Sequence, residues 1–106
     1  MTTKQYNPPH PGEVLFGLDM EPAGITIKAL AEQIGVDRKT ISRIINGHAG
    51  ITAEMAILLS KVFKTTPELW LNMQRNYDLW HAEQRMKQRI SKIKPFSQNS
   101  PDIHPA

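Results

Sequence analysis

Arg38, Lys39, Ser42 and Arg43 are the residues whose types and spacing suit chemistry together. They fall on the outward side of a short predicted helix whose inward side is Ile41 and Ile44. Arg38, Lys39 and Arg43 take positions 1, 2 and 6 of that helix, so Arg43 follows Arg38 by about one and a half turns. Arginine and lysine donate to guanine O6 and N7, and a good bidentate pair gives ~1–3 kcal/mol of base discrimination. Ser42 suits a base edge or a phosphate. Thr26, Lys28, Thr40, Asn46 and His48 flank the helix and are candidates for phosphate contacts, which set register without reading sequence. The implied chemistry is recognition of double-stranded DNA from its major groove.

No catalytic pattern competes with that reading. His10, His48, His81 and His104 are scattered, as surface or cap residues would be, and His81-Ala82-Glu83 lacks the Pro-Cys-x-x-Cys partner of a zinc deaminase. No glycine-rich phosphate loop, Ser-His-Asp set or metal-ligand spacing is present. Cysteine is absent, which excludes disulfides, iron–sulfur clusters, cysteine-rich zinc sites and a thiol nucleophile. The expectation is a protein that is not an enzyme, with no cofactor and no metal.

Charge agrees with a polyanionic partner. The formal net charge of the 106 residues is +3, but residues 26–50 carry +2 and residues 85–106 carry +4, while 1–25 and 51–84 are net acidic. The apolar runs fall far short of the ~20 residues that cross a bilayer, and Met1-Thr2-Thr3-Lys4 leads into a proline-rich polar stretch rather than a secretory leader. A cytoplasmic protein with no membrane partner is expected.

The elements that must position these residues are helices throughout, so the fold class is all-α. Residues 1–9 read as a flexible arm. A first helix starts near Pro11, with Glu13 in its first turn, and ends before Pro22-Ala23-Gly24; Val14, Leu15, Phe16 and Leu18 supply its apolar face. Thr26 caps a second helix over residues 27–34, with Leu30, Ala31 and Ile34 inward. Gly35 makes the turn, Val36 plugs back into the core, and Asp37 caps a third helix from Arg38 to about Asn46, where Asn46-Gly47 stops it. Thr52 caps a fourth, over about 53–63, with Met55, Leu58, Leu59 and Val62 as its core face. Thr66-Pro67-Glu68 opens a fifth that runs to about Ile90. The domain thus spans residues 10–90, and residues 91–106, with Pro95, Pro101 and Pro105 among Ser, Gln and Asn, read as a disordered tail.

The stretch from Thr26 to Gly47 has helix-turn-helix spacing. Leu30-Ala31, Gly35-Val36, Thr40-Ile41-Ser42-Arg43-Ile44 and Asn46-Gly47 resemble the lambda-repressor-like, Xre-type helix-turn-helix. His10-Pro11-Gly12-Glu13-Val14-Leu15, Gly50-Ile51-Thr52, Pro67 to Gln74 and Tyr77-Asp78-Leu79-Trp80 extend the resemblance to HigA-type antitoxins, over about residues 8–84. The resemblance implies a five-helix DNA-binding domain that dimerises, represses its own operon and binds a HigB-type RNA-cleaving toxin encoded beside it. Many Xre-type motifs place a phosphate-gripping glutamine first in the second helix; here that residue is Ile27, leaving the contact to Lys28 or the N-terminal arm.

Trp70, Met73, Tyr77 and Trp80 share one face of the fifth helix. Trp70 and Met73 read as core. Tyr77 and Trp80, near an overhanging end, are dimer-interface candidates. A twofold pair presents two recognition helices to successive major grooves ~34 Å apart, which implies a pseudo-palindromic operator. The basic segment 85–94 suits phosphates, an acidic partner or hydration alone. Two alternatives stand beside the antitoxin: a free-standing phage-like repressor without a toxin, and a protein-interaction module whose basic helix never meets DNA.

Overall fold

The computed structural model describes residues 7–97. Most of the expected arm (1–9) and over half of the expected tail (91–106), with His104, lie outside them, while residues 91–97 are exposed. The helices are α1 (Pro11–Val14), continued by a π-helical segment (Leu15–Met20), then α2 (Ile27–Ile34), α3 (Arg38–Ile45), α4 (Ala53–Phe63), α5 (Pro67–Arg85) and α6 (Lys87–Ser91). Among the described residues no helix is long and apolar enough to cross a membrane.

Local chemistry explains most of the boundaries. The side-chain oxygens of Thr26, Thr52 and Thr66 accept from the backbone N–H three residues on, at 3.0, 3.1 and 3.2 Å, each occupying an otherwise orphaned donor. Gly35 ends α2 in the left-handed region at φ 75°, and the N–H groups of Gly35 and Val36 both return to the Ala31 carbonyl. Asp37 Oδ1 then accepts from Lys39 N at 3.0 Å and starts α3. Lys64, at φ 58°, closes α4 where glycine is the usual choice.

The core gathers Leu15, Met20, Leu30, Ala31, Ile41, Ile44, Ile51, Met55, Ala56, Leu59 and Trp70. Two expected faces are corrected. The first helix changes pitch after Val14: Glu21 N bonds the Phe16 carbonyl five residues back, at 2.8 Å. In such a turn residues five apart stack, so Leu15 and Met20 are buried together. Leu18, expected inward at α-helical spacing, is 72% exposed, and Phe16 is exposed as well. In α4, Met55 and Leu59 are buried as expected, but Ala56 and Ser60 complete the face, and Leu58 and Val62 are only half-buried. Ala56 and Ser60 are small, and α4 packs against both α5 and α2.

The fifth helix also differs from expectation. It breaks at Met86 (φ −101°, ψ 9°) rather than running to Ile90, and α6 carries on beyond the break. Arg85 and Arg89 stand four apart across this point with no buried residue beneath them, and like charges at that spacing weaken a helix.

One contact ties the first helix to the third. A methyl group at Gly12 would overlap the Ile44 carbonyl oxygen and lie 2.7 Å from its carbon. The start of α1 therefore rests directly on the last turn of α3. Gly12→Ala is expected to cost about 1–3 kcal/mol, as overpacking against backbone does. Urea unfolding checks this; an unchanged midpoint would mean that the two helices separate at no cost.

Candidate nucleic-acid interface

The third helix is held from beneath and open above. Ile41 is 0% exposed and Ile44 2%, both in the core, with α3 packed on α1 and α2. Arg38, Lys39, Thr40 and Arg43 are exposed, and Ser42 is half-buried. On a helix, residues four apart are neighbours, so Arg38 stands beside Ser42 and Lys39 beside Arg43, forming two parallel rows of donors. The inward isoleucines fix the rotation of α3 and hence where these donors point.

The expected phosphate contacts divide by how much of their bonding capacity is already used. Lys28, on α2, and Thr40 and His48 at the α3 side are exposed. Thr26 accepts from Ala29 N, which leaves its hydroxyl proton to donate. Asn46 spends its amide nitrogen on the Ser42 carbonyl (2.9 Å) and hydroxyl (3.3 Å), locking Ser42 and Asn46 to each other at the end of α3. Ile27, where related motifs place glutamine, packs against the core.

Arg43 does two things. Its Nη2 donates to the His48 carbonyl at 3.2 Å, which, among the described residues, leaves the other N–H groups of its fork available to a ligand. With Thr40, Ala49, Gly50 and Thr52 it lines a shallow cleft between α3 and the start of α4. The Gly50 and Thr52 contributions were not legible from spacing, although both belong to the motif that follows the helix-turn-helix.

A second cluster sits where α5 passes the start of α1. His10 Nδ1 accepts from Gly12 N at 2.9 Å and caps α1. The Tyr77 ring meets the His10 ring edge-on with centroids 4.8 Å apart, and lies 4.2 Å from His81, which in turn contacts Trp80 at 5.0 Å. Tyr77 thus fastens α5 to α1 within the chain, and both Tyr77 and Trp80 are half-buried. The Trp80 indole N–H is shielded from solvent and has no acceptor among the described residues.

Burial pushes the His10 imidazole below its ordinary range; Glu13, Asp78 and a backbone hydrogen bond with Ala49 oppose this, and His81 adds to it. The cap bond needs Nδ1 unprotonated. Because the unfolded chain then binds a proton more readily than the folded one, the stability His10 contributes is complete above the unfolded value of ~6.5 and is lost as pH falls through the folded value. His10→Asn keeps a cap acceptor but cannot titrate. Denaturation midpoints from about pH 8 to about pH 5 should therefore fall less steeply in His10→Asn than in the wild type. Parallel slopes would remove His10 from the acid response.

Two short helices joined by a glycine turn, with a braced and exposed cationic second helix, define a helix-turn-helix DNA-binding domain. The helix-turn-helix family matches residues 19–70. The antitoxin HigA-1 of Vibrio cholerae is 46% identical over 85 residues, covering 80% of each chain. An uncharacterized HTH-type transcriptional regulator of Haemophilus influenzae is 45% identical over 86 residues, covering 79% of this chain and 80% of that one. The structure of the Pseudomonas aeruginosa antitoxin HigA with the higBA promoter is similar at a TM-score of 0.81 and 34% identity, over 85% of this chain and 99% of that one. This chain belongs to the HigA-type antitoxins of the Xre helix-turn-helix family, a family of DNA-binding regulators rather than enzymes.

Proposed function

We propose that this chain is the antitoxin of a type II module, which represses its own operon as a homodimer and neutralises a HigB-type ribonuclease toxin encoded beside it in the bacterial cytoplasm. The observation that carries the DNA-binding part is the exposed face of α3, rigidly seated on Ile41 and Ile44. Arg38, Lys39, Ser42 and Arg43 read base edges and Thr26, Lys28, Thr40 and His48 hold phosphates, while Asn46, its amide nitrogen spent on Ser42, braces the end of α3. The likeness to an antitoxin solved with promoter DNA supports this assignment.

The homodimer rests on the family likeness, with the half-buried Tyr77 and Trp80 of α5 as its candidate contact. Two α3 helices then enter successive major grooves ~34 Å apart on a pseudo-palindromic operator. Light scattering should give a dimer at micromolar concentration, and a monomer there overturns this assembly. The toxin part rests on the family likeness. Isolation of the chain from its host, with mass spectrometry of what accompanies it, should yield a small ribonuclease-like protein from the neighbouring reading frame. No such protein and no such frame would leave a free-standing repressor, the reading that the kinship with an HTH-type transcriptional regulator favours.

A further inference from the structure

We infer that Gln74, oriented by Asp78, is a positioning residue for operator recognition: from α5 it fixes the course of residues 48–51, and through them the aim of the Arg43 guanidinium. This rests on the DNA-reading role proposed for α3. Gln74 Oε1 accepts from Ile51 N at 2.7 Å, joining residues 23 apart in sequence, whereas the capping bonds described above span two or three. The Gln74 amide nitrogen donates to Asp78 Oδ1 at 3.0 Å, one turn further along α5. That second bond decides which end of the amide faces Ile51, since only the carbonyl end accepts from a backbone N–H.

The fit leaves no room for slippage. A Cβ at Gly50 would lie 3.0–3.1 Å from the Gln74 amide atoms, so the amide lies against the bare backbone there. Ile51 is buried and anchors the far end of the segment. The near end belongs to Arg43: its carbonyl accepts from His48 N at 2.8 Å and Ala49 N at 3.2 Å, and its Nη2 donates to the His48 carbonyl. The four residues are therefore stretched between Arg43 and Gln74. If the Gln74 end is released, the His48 carbonyl shifts, and the guanidinium loses the acceptor that holds it toward the cleft. The loss falls on a base-reading donor, while Arg38, Lys39 and Lys28 keep their charges. Selectivity suffers, and general attraction to phosphate does not.

The test is affinity for a duplex of the sequence upstream of the chain's own gene, against the same duplex scrambled, over a range of salt concentrations. Gln74→Leu, similar in size but unable to accept from Ile51 N, should lower operator affinity by about tenfold, the scale of one unmade hydrogen bond at a constrained site. Scrambled-duplex affinity and the salt slope should stay as in wild type, since no phosphate contact is removed. Gln74→Glu alone places a carboxylate against Asp78 and should also lose selectivity. Gln74→Glu with Asp78→Asn reverses the donor and acceptor between the two side chains, keeps an acceptor for Ile51 N, and should restore selectivity to within about twofold. Mere stabilisation of the domain predicts otherwise: losses that track the unfolding midpoint and lower affinity for both duplexes alike. Wild-type selectivity surviving in Gln74→Leu, or no recovery in the paired swap, overturns the inference. A wild-type protein that does not prefer its own upstream duplex overturns the recognition reading, and the inference with it.

Discussion

Replacing Arg38 and Arg43 together by alanine is expected to lower operator affinity by about thirtyfold to twenty-thousandfold, since each bidentate arginine–base contact supplies ~1–3 kcal/mol. Both side chains are exposed, and neither contributes to the core. Substitutions of that kind leave stability within about 0.5 kcal/mol, so the loss should appear in a folded protein with a nearly unchanged unfolding midpoint. Arg43 also carries the bond to the His48 carbonyl, so Arg43→Ala alone should cost more than Arg38→Ala alone. Lys28→Ala, by contrast, should weaken operator and scrambled DNA equally and reduce the salt slope by about one. Titration by fluorescence anisotropy against both duplexes separates these outcomes. Toxin neutralisation that persists in the double arginine variant would show two separable surfaces. Operator binding that persists would mean that α3 is not the reading helix.

Trp70→Ala is expected to be the most damaging single change to the fold, at ~3–5 kcal/mol, the range for deleting a large buried aromatic. Trp70 is 0% exposed and is the one buried residue of the 19-residue α5. Its indole N–H donates to Thr65 Oγ1 at 2.9 Å, closing the turn between α4 and α5. A domain of this size has ~5–15 kcal/mol in hand, so the change removes a large share of the total. Trp70→Phe retains most of the buried ring and forfeits the hydrogen bond, and should cost only about 1–2 kcal/mol. Thermal and urea unfolding check both. Equal losses for the two variants would mean that the hydrogen bond, not the ring, secures the junction. At the other end of α5, Leu79→Ala should change little, because Leu79 is exposed.

These two sites differ in how plainly they could be read from the chain. The helix-turn-helix is a local construction: Thr26 and Asp37 cap within three residues, Gly35 turns within one, and Ile41 and Ile44 select the face of α3 by spacing alone. The outward side of α3 is therefore legible in the sequence, and the inward place of Trp70 follows from the same spacing. Alpha-helical spacing turns Leu18 inward, but the chain widens to five-residue turns over Leu15–Met20, and no residue type there announces that change. In α4, apolar size favours Leu58 and Val62 over Ala56 and Ser60, yet size says nothing about how closely a neighbouring helix must approach.

The order of the helices, the turn at Gly35 and the outward side of α3 are written locally, because each depends on hydrogen bonds and spacings within a few residues. That Gly12 lies against the Ile44 carbonyl, that Tyr77 meets His10 and that Gln74 reaches Ile51 emerges from packing alone. Those contacts join residues far apart in the chain, and they exist only after packing has set the distances between helices. A glutamine or a glycine looks the same in sequence whether it faces solvent or another helix's backbone; the burial around it makes the difference.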